Sequence, residues 1–130
     1  MSEGLSNYGE ETLLNALVGL DVDLILYDDS TDALTDSDGT GAITTEPSSG
    51  TTTKTITIQS GDLTLTNDDW EFARSVVFSD VSAASGRVDA VAVAENGTSN
   101  ILFRGLLDSA ITDIGPVDKI DPLDVSLPLD

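Results

Sequence analysis

The stretch from Val88 to Leu106, VDAVAVAENGTSNILFRGL, decides the fold. Residues 88–94 place Val at Val88, Val91 and Val93 between small and polar residues, which is typical of a central strand. Asn96-Gly97 is the strongest short-range signal for a hairpin turn. The turn leads into a second strand, residues 100–106, in which Ile101, Phe103 and Gly105 are predicted to face one way.

Further short strands are predicted on both sides of this hairpin. Residues 21–27, DVDLILY, become continuously apolar, which indicates burial on both faces. Other strand patterns lie at 54–58, 62–66, 74–78 and in the last segment, where prolines confine the strands to edges, starts or turns. Seven or eight short strands without long helices between them predict a mainly β chain, either a single antiparallel β-sandwich or a partly closed barrel.

Two segments stand outside this pattern. Residues 5–19 predict a short N-terminal amphipathic helix, with Ser6 or Asn7 as N-cap and Gly19 as C-cap. Its apolar stripe is Leu13, Leu14, Leu17 and Val18. Residues 28–53 are rich in Asp, Ser, Thr and Gly and predict a long acidic loop, or an arm that orders against a neighbouring subunit. We therefore expect a single domain over 1–130, with its β-core in 54–130.

Charge limits the function. The chain has 24 acidic residues, 5 basic residues and no histidine, a formal net charge of −19. Molar salt shrinks the Debye length to about 3 Å and screens the resulting self-repulsion, so the composition predicts a halophilic protein. Nucleic acid and anionic membranes are not expected partners, because both are bound through Lys and Arg. No apolar run approaches the roughly 20 residues of a membrane-spanning helix.

Catalysis is not expected. Without histidine or cysteine the chain lacks the commonest general base and the best nucleophile. A pair of carboxylates is the signature of a glycosidase, but it is not informative in this chain. With so many acidic residues, some pair will always lie at a suitable separation. The sequence predicts no enzyme and requires no cofactor.

Residues 36–43, DSDGTGAI, resemble the start of a calcium loop. Pro47 stands where the bidentate Glu of such a loop belongs. A solvated acidic loop is the favoured interpretation, and a weak Ca²⁺, Mg²⁺ or Na⁺ site is the alternative. The candidate ligands are Asp36, Asp38, Thr40 and Glu46.

Three smaller features complete the candidates. Asn96-Gly97-Thr98 fits a glycosylation sequon at Asn96, but a hairpin turn explains Asn-Gly completely and is the favoured interpretation. Arg74, Arg87 and Arg104 are predicted to tie subunits or strands together, the alternative being ordinary surface ion pairs worth about 0–1 kcal/mol each. The aromatic residues predict core anchors, or else a sugar-binding or interface patch: Trp70, Phe72, Phe78 and Phe103.

Several of these segments together resemble a family of small virion structural proteins of tailed phages, of the tail-fibre or head-decoration kind. The resemblance rests on an ordered set of segments: Leu5-Ser6-Asn7-Tyr8 with Glu11 and Leu13-Leu14, Asp23–Tyr27, Thr45-Glu46-Pro47, Gly86 with Val88 and Val91, Asn100–Gly105, and Leu123 with Val125–Leu127 and Asp130. Residues 48–75 match poorly, and Gly115-Pro116-Val117-Asp118 stands where the family has a Gly-Asp turn.

The resemblance implies a non-enzymatic β-fold within the particle, and the acidic composition places it in a haloarchaeal tailed virus. We expect a capsid-surface decoration or turret subunit located in the virion and assembled in the host cytoplasm. Its expected partners are further copies of itself and other virion proteins such as the major capsid protein. The alternatives are a tail, tail-fibre or baseplate component, and a host cell-surface binding module. The candidate assembly residues are Leu13, Leu14, Leu17, Val18, Arg74, Arg87 and Arg104.

Overall fold

The computed structural model describes residues 6–47, 54–66, 69–81, 87–112 and 118–128. Within them the chain is mainly β, as predicted. The helices and strands run in the order α1 (Asn7–Asn15), β1 (Asp21–Tyr27), α2 (Asp29–Asp32), β2 (Lys54–Thr57), β3 (Leu63–Thr66), β4 (Asp69–Val81), β5 (Arg87–Glu95), β6 (Ile101–Thr112) and β7 (Asp118–Pro128).

The strands form two antiparallel sheets. The first sheet has the order β2-β1-β5-β6 and the second has the order β3-β4-β7. The described strands do not form a closed barrel, since each sheet ends in two edge strands. Strand β7 contains Pro122 and pairs with β4 alone among the described strands. This position at an edge is where a strand tolerates the missing N–H of proline.

The main core draws its side chains from both sheets. Val22 and Leu24 of β1 and Val91 of β5 are fully buried and cluster with Trp70 and Phe72 of β4. The Phe72 ring also contacts the Phe103 ring of β6, with centroids 5.2 Å apart and tilted planes. Trp70, Phe72 and Phe103 are therefore core anchors, as predicted, whereas the side chain of Phe78 lies outside the described residues.

The opposite face of the first sheet is also covered. Its side chains are small on β5, where Ala90, Ala92 and Ala94 alternate with the core valines. Residues 28–47, assigned above to the long acidic loop, lie on this face, where Leu34 is buried against the alanines together with Ile25 and Tyr27 of β1. The apolar end of β1 is thus buried on both faces, as its sequence predicts.

The β5–β6 hairpin corrects one prediction. Its loop carries Gly97 at φ +81°, a conformation that glycine adopts without strain. Ile101 and Phe103 were expected on one face, but Ile101 packs with the alanine face and Phe103 with the main core. The pairing register shifts between Val93 and Ala94, so β6 carries one extra residue there and the alternation of its side chains is reset.

A second irregularity lies at Asp89. Val88 and Val91 both belong to the main core although they are three residues apart, a spacing that regular alternation does not allow. Between Val88 and Ala90 the pairing advances by two residues on β5 but by five on β6, from Ile111 to Leu106, so the extra residues lie on β6 opposite Asp89. At this irregularity β5 carries a buried carboxylate, Asp89.

Helix α1 begins as predicted and ends early. Ser6 is the N-cap, and its Oγ accepts a hydrogen bond from the Gly9 N–H at 3.2 Å. The helix ends at Asn15, and a turn continues to Gly19, which has φ +90°. The Gly19 N–H donates to the Ile58 carbonyl at 2.8 Å, so this turn is fixed beside β2.

Candidate functional site

The apolar stripe of the N-terminal segment is partly buried and partly exposed. Leu14 and Leu17 pack against the main core. Leu13 and Val18 remain 59% and 38% exposed, and Tyr8 is 79% exposed. The segment therefore docks on its own domain through one side and presents apolar side chains to its surroundings through the other.

Arg74 ties β4 to the turn that precedes β3. Its Nη1 donates to Asp62 Oδ2 at 2.7 Å and to the Thr57 carbonyl at 3.3 Å. Asp62 is buried, and the same Oδ2 also accepts from the Gln59 N–H at 2.9 Å. The pair thus joins the second sheet to the segment that follows β2.

Arg87 stands between two buried carboxylates. Its Nη2 donates to Asp89 Oδ2 at 3.2 Å, and its Nε lies 3.6 Å from Asp28 Oδ1. Asp89 Oδ1 in turn accepts from the Asp29 N–H at 2.7 Å. At its irregular pairing with β6, β5 therefore supplies the carboxylate that holds the start of α2 against the sheet.

Arg104 connects β6 to the acidic loop. Its Nη1 donates to Asp36 Oδ1 at 2.9 Å, and its Nη2 donates to the Leu34 carbonyl at 3.1 Å. The hydrogen bond with Asp36 raises the pKa of this guanidinium, against the opposing effect of burial. Together, the three arginines bind carboxylates of their own chain, and their role at an assembly interface stays a prediction.

The residues proposed for a metal do not converge in the described part of the chain. Asp36 pairs with Arg104, while Asp38 Oδ2 accepts from the N–H and the Oγ1 of Thr35 at 2.8 and 3.2 Å. The Thr40 N–H donates to the Ser99 carbonyl at 2.9 Å. Among the described residues no group of three or more acidic side chains is placed to hold a metal ion.

Asp32 organises the loop instead. Its carboxylate accepts hydrogen bonds from the backbone N–H and the hydroxyl of both Thr44 and Thr45, at 2.5 to 3.2 Å. Desolvation is the largest single effect on its pKa and raises it, but the hydrogen bonds from the two threonines outweigh it and lower the pKa. One carboxylate thus closes the loop between residues 32 and 44.

Asp28 caps α2 from a buried position. Its Oδ1 accepts from the N–H and hydroxyl of Ser30, and its Oδ2 accepts from Thr31 Oγ1 at 3.1 Å. The hydrogen bond from the Ser30 hydroxyl is the main cause that lowers the pKa of Asp28. This role of Asp28 was not predicted, although an aspartate directly before a serine-containing segment, at the end of a buried strand, is a capping signal.

Asn96 lies at the exposed end of the hairpin. Its Nδ2 donates to Asp23 Oδ1 at 2.9 Å, and its backbone N–H donates to the Asp21 carbonyl at 3.1 Å. Asp23 Oδ1 also accepts from Thr55 Oγ1 at 2.7 Å. The amide nitrogen that a glycan would occupy is therefore part of the contact between the hairpin and β1.

A shallow, open pocket of about 240 Å³ lies between β6 and α2. Its lining combines a phenol, a carboxylate and a guanidinium, from Tyr27, Asp29 and Arg104, with the residues Gly105 and Leu106. Burial is the main cause that raises the pKa of Tyr27, which keeps the phenol neutral. These groups bond chiefly with one another and with the loop.

No helix among the described residues is long and apolar enough to cross a membrane. No protein-family profile, curated protein or solved structure matches the chain.

Proposed function

We propose that this protein is a non-enzymatic structural component of the virion of a halophilic tailed virus, most simply a capsid-surface decoration or turret subunit. In this proposal the two sheets form a small β-sandwich with a partly covered outer face. The proposal extends the sequence resemblance and draws on the way in which the chain distributes its apolar surface.

The observation that carries the proposal is the exposure of Tyr8 and Leu13 on one short helix. A chain with a net charge of −19 has many polar residues available for its surface. It nevertheless presents an aromatic and a leucine side chain, 79% and 59% exposed, on one short helix. Exposed apolar side chains grouped on one element are typical of a contact surface. We assign this surface, defined by Tyr8, Leu13 and Val18, to docking on the shell or on a neighbouring subunit.

The internal bracing supports the same assignment. Arg74, Arg87 and Arg104 bind carboxylates of their own chain, so the domain is held together by contacts that do not need a partner. A rigid domain with one apolar docking element suits a subunit that is added to a preformed shell. Assembly would then depend on salt, because each added copy brings further negative charge to the particle.

Burial of Trp70 favours assembly over carbohydrate binding. A sugar-binding module would present an aromatic platform, and the single tryptophan of this chain is only 8% exposed within the main core. A tail or fibre component built on the same domain remains the second candidate, because the same docking surface would serve it equally.

Immunogold labelling of purified virions, with an antibody raised against the recombinant chain, tests the proposal. Gold on the head supports a decoration or turret subunit. Gold on the tail or its tip would instead support a tail or fibre component. Virions that carry no gold, under conditions in which the antibody binds the purified protein, overturn both.

A further inference from the structure

Asn96 and Gly97 form the exposed tip of the β5–β6 hairpin. They are the only Asn-Gly pair among the five asparagines of the chain, whose other members precede Tyr8, Ala16, Asp68 and Ile101. Both residues are exposed, and the added Cβ of a larger residue at Gly97 would meet nothing within 4 Å. The space around Gly97 is therefore open, so no neighbouring side chain crowds a ring that closes on its nitrogen.

The hydrogen bonds of this turn leave the same nitrogen available. Thr98 N–H donates to the Glu95 carbonyl at 3.1 Å, and Asn96 N–H donates to the Asp21 carbonyl at 3.1 Å. Among the described residues, the Gly97 N–H has no such acceptor. The atom that must act as a nucleophile in amide cyclisation is thus not held by the fold.

We propose that Asn96 is a site of spontaneous deamidation, a covalent modification that alters the contact between the hairpin and β1. The Gly97 nitrogen loses its proton to solvent and attacks Cγ of Asn96. The N–Cγ bond forms, the Cγ–Nδ2 bond breaks, and Nδ2 leaves as ammonia after taking up a proton. Water then opens the five-membered imide at either carbonyl, giving aspartate or isoaspartate at position 96. No oxidant, enzyme or cofactor takes part.

The structure gives this reaction a specific consequence. Asn96 Nδ2 is a donor to Asp23 Oδ1 at 2.9 Å, and Asp23 also accepts from Thr55. The product replaces that donor by a second carboxylate, so a hydrogen bond becomes a contact between like charges. Isoaspartate also lengthens the backbone by one carbon at the residue whose N–H binds the Asp21 carbonyl. Both products loosen the hairpin tip from β1, most strongly in low salt, where the repulsion is least screened.

Glycosylation at Asn96 would exclude this outcome, because the glycan occupies Nδ2. The modification is independent of the proposed place in the virion, since it needs only the folded chain and water. Failure of one therefore leaves the other intact.

The test is peptide mapping by mass spectrometry after prolonged incubation of the folded protein at mildly alkaline pH in molar KCl. We expect the fragment ions that contain residue 96 to gain the mass of one amide-to-acid conversion and the peptide to divide into two products, while fragments that contain any of the other four asparagines without residue 96, including Asn100 of the same peptide, keep their mass. Asn96→Gln is the control that retains the amide and should remain unchanged over the same interval.

Asn96→Asp then reproduces the aspartate product. Its melting temperature is expected to fall below that of the unmodified protein in low salt and to approach it in molar KCl. An unchanged 96–97 peptide in the folded protein, when the same chain unfolded in urea is converted, would show that the turn protects Asn96 and would overturn the proposal. A glycan on Asn96 in protein from virions, or conversion spread equally over all five asparagines, would overturn it as well.

Discussion

The hydroxyl of Thr45 donates to Oδ2 of Asp32 at 2.6 Å, across thirteen residues of an acidic loop. This contact shows how the chain uses its excess of aspartate. Carboxylates accept hydrogen bonds from the hydroxyls and backbone N–H groups of neighbouring threonines and serines, so polar segments of low hydrophobicity acquire a defined path over the sheet.

Replacing Asp32 by Asn is expected to destabilise the protein by about 1–3 kcal/mol, because Thr44 and Thr45 lose a charged acceptor shared by their hydroxyls and N–H groups. The measurement is the free energy of unfolding in urea at molar KCl. Glu11→Gln removes the same charge from an exposed position and should change that free energy by no more than about 0.5 kcal/mol. Equal effects of the two variants would mean that charge alone, and not the hydrogen bonding of Asp32, matters.

Acid is expected to destabilise the fold through the same carboxylates. The pKa values of Asp28 and Asp32 lie below their ordinary value of 3.8 in the folded chain. In the range below that value the unfolded chain binds more protons, so the stability that both groups contribute above it is lost as the pH falls through their folded pKa values. Unfolding followed from pH 7 downwards at constant high salt should show this loss, and Asp32→Asn should make it smaller. A pH profile that Asp32→Asn leaves unchanged contradicts the lowered pKa.

The two most similar arginine bridges are expected to differ in strength. Arg74 binds Asp62, whose side chain is 9% exposed, whereas Arg104 binds Asp36, whose side chain is 99% exposed. Arg74→Gln should cost about 1–3 kcal/mol, because it leaves a buried carboxylate without its cation. Arg104→Gln should cost about 0–1 kcal/mol, since water replaces the guanidinium at Asp36. Urea unfolding of both variants measures the difference, and a larger loss for Arg104→Gln would reverse the assignment.

Salt is expected to stabilise the folded chain. Raising KCl from low to molar concentration should raise the melting temperature by at least about 4 °C, which corresponds to about 1 kcal/mol for a domain of 130 residues. The physical reason is screening of the repulsion within a chain of net charge −19. Sucrose at matched osmolality is the uncharged control. A melting temperature that responds equally to KCl and to sucrose, or to neither, would contradict the halophilic assignment.

Self-association is expected to depend on the docking surface of the N-terminal segment, defined by Tyr8, Leu13 and Val18. Leu13→Lys places a charge among Tyr8 and Val18 and should lower the mass measured by sedimentation in molar KCl towards that of a monomer. Leu106→Lys is the matched control, because Leu106 is 61% exposed and Leu13 is 59% exposed. Loss of association in Leu106→Lys alone would move the interface to the edge strand β6. If the unmodified protein sediments as a monomer at high concentration in molar KCl, the prediction of a homo-oligomer is wrong.

The sequence predicted those parts of the fold that local patterns encode. The strands at residues 21–27 and 88–94, the Asn96-Gly97 turn and the Ser6 cap are each determined within a few residues, and the structure has all of them. The faces of β6 could not be predicted, because the extra residue near Leu102 leaves no distinctive sequence and reverses Ile101 relative to Phe103. The irregularity at Asp89 did leave a signal in the sequence. Val88 and Val91 are three residues apart, whereas residues on one face of a regular strand are two or four apart.

The path of residues 28–47 was beyond local prediction for another reason. It depends on hydrogen bonds between residues far apart in the chain, such as Asp29 with Asp89 and Thr40 with Ser99. Aspartate, serine and threonine also occur throughout this segment, so composition does not reveal which of its carboxylates turn inward. The candidate site was foreseen in part: the stripe on α1 was named, but its division into docked and exposed residues depends on the packing of Leu14 and Leu17.

The alanines of β5 have a consequence for how this chain can change through evolution. Ala90, Ala92 and Ala94 are fully or almost fully buried beneath the acidic loop, and Leu34 of that loop packs against them. A valine at any of these positions would need space that the loop now fills. The valines on the other face of β5 pack in the main core, so their size is limited by that core and not by the loop. Positions 90, 92 and 94 should therefore covary with the length and composition of residues 28–47, so that a chain with bulkier residues on this face carries a shorter or differently anchored loop.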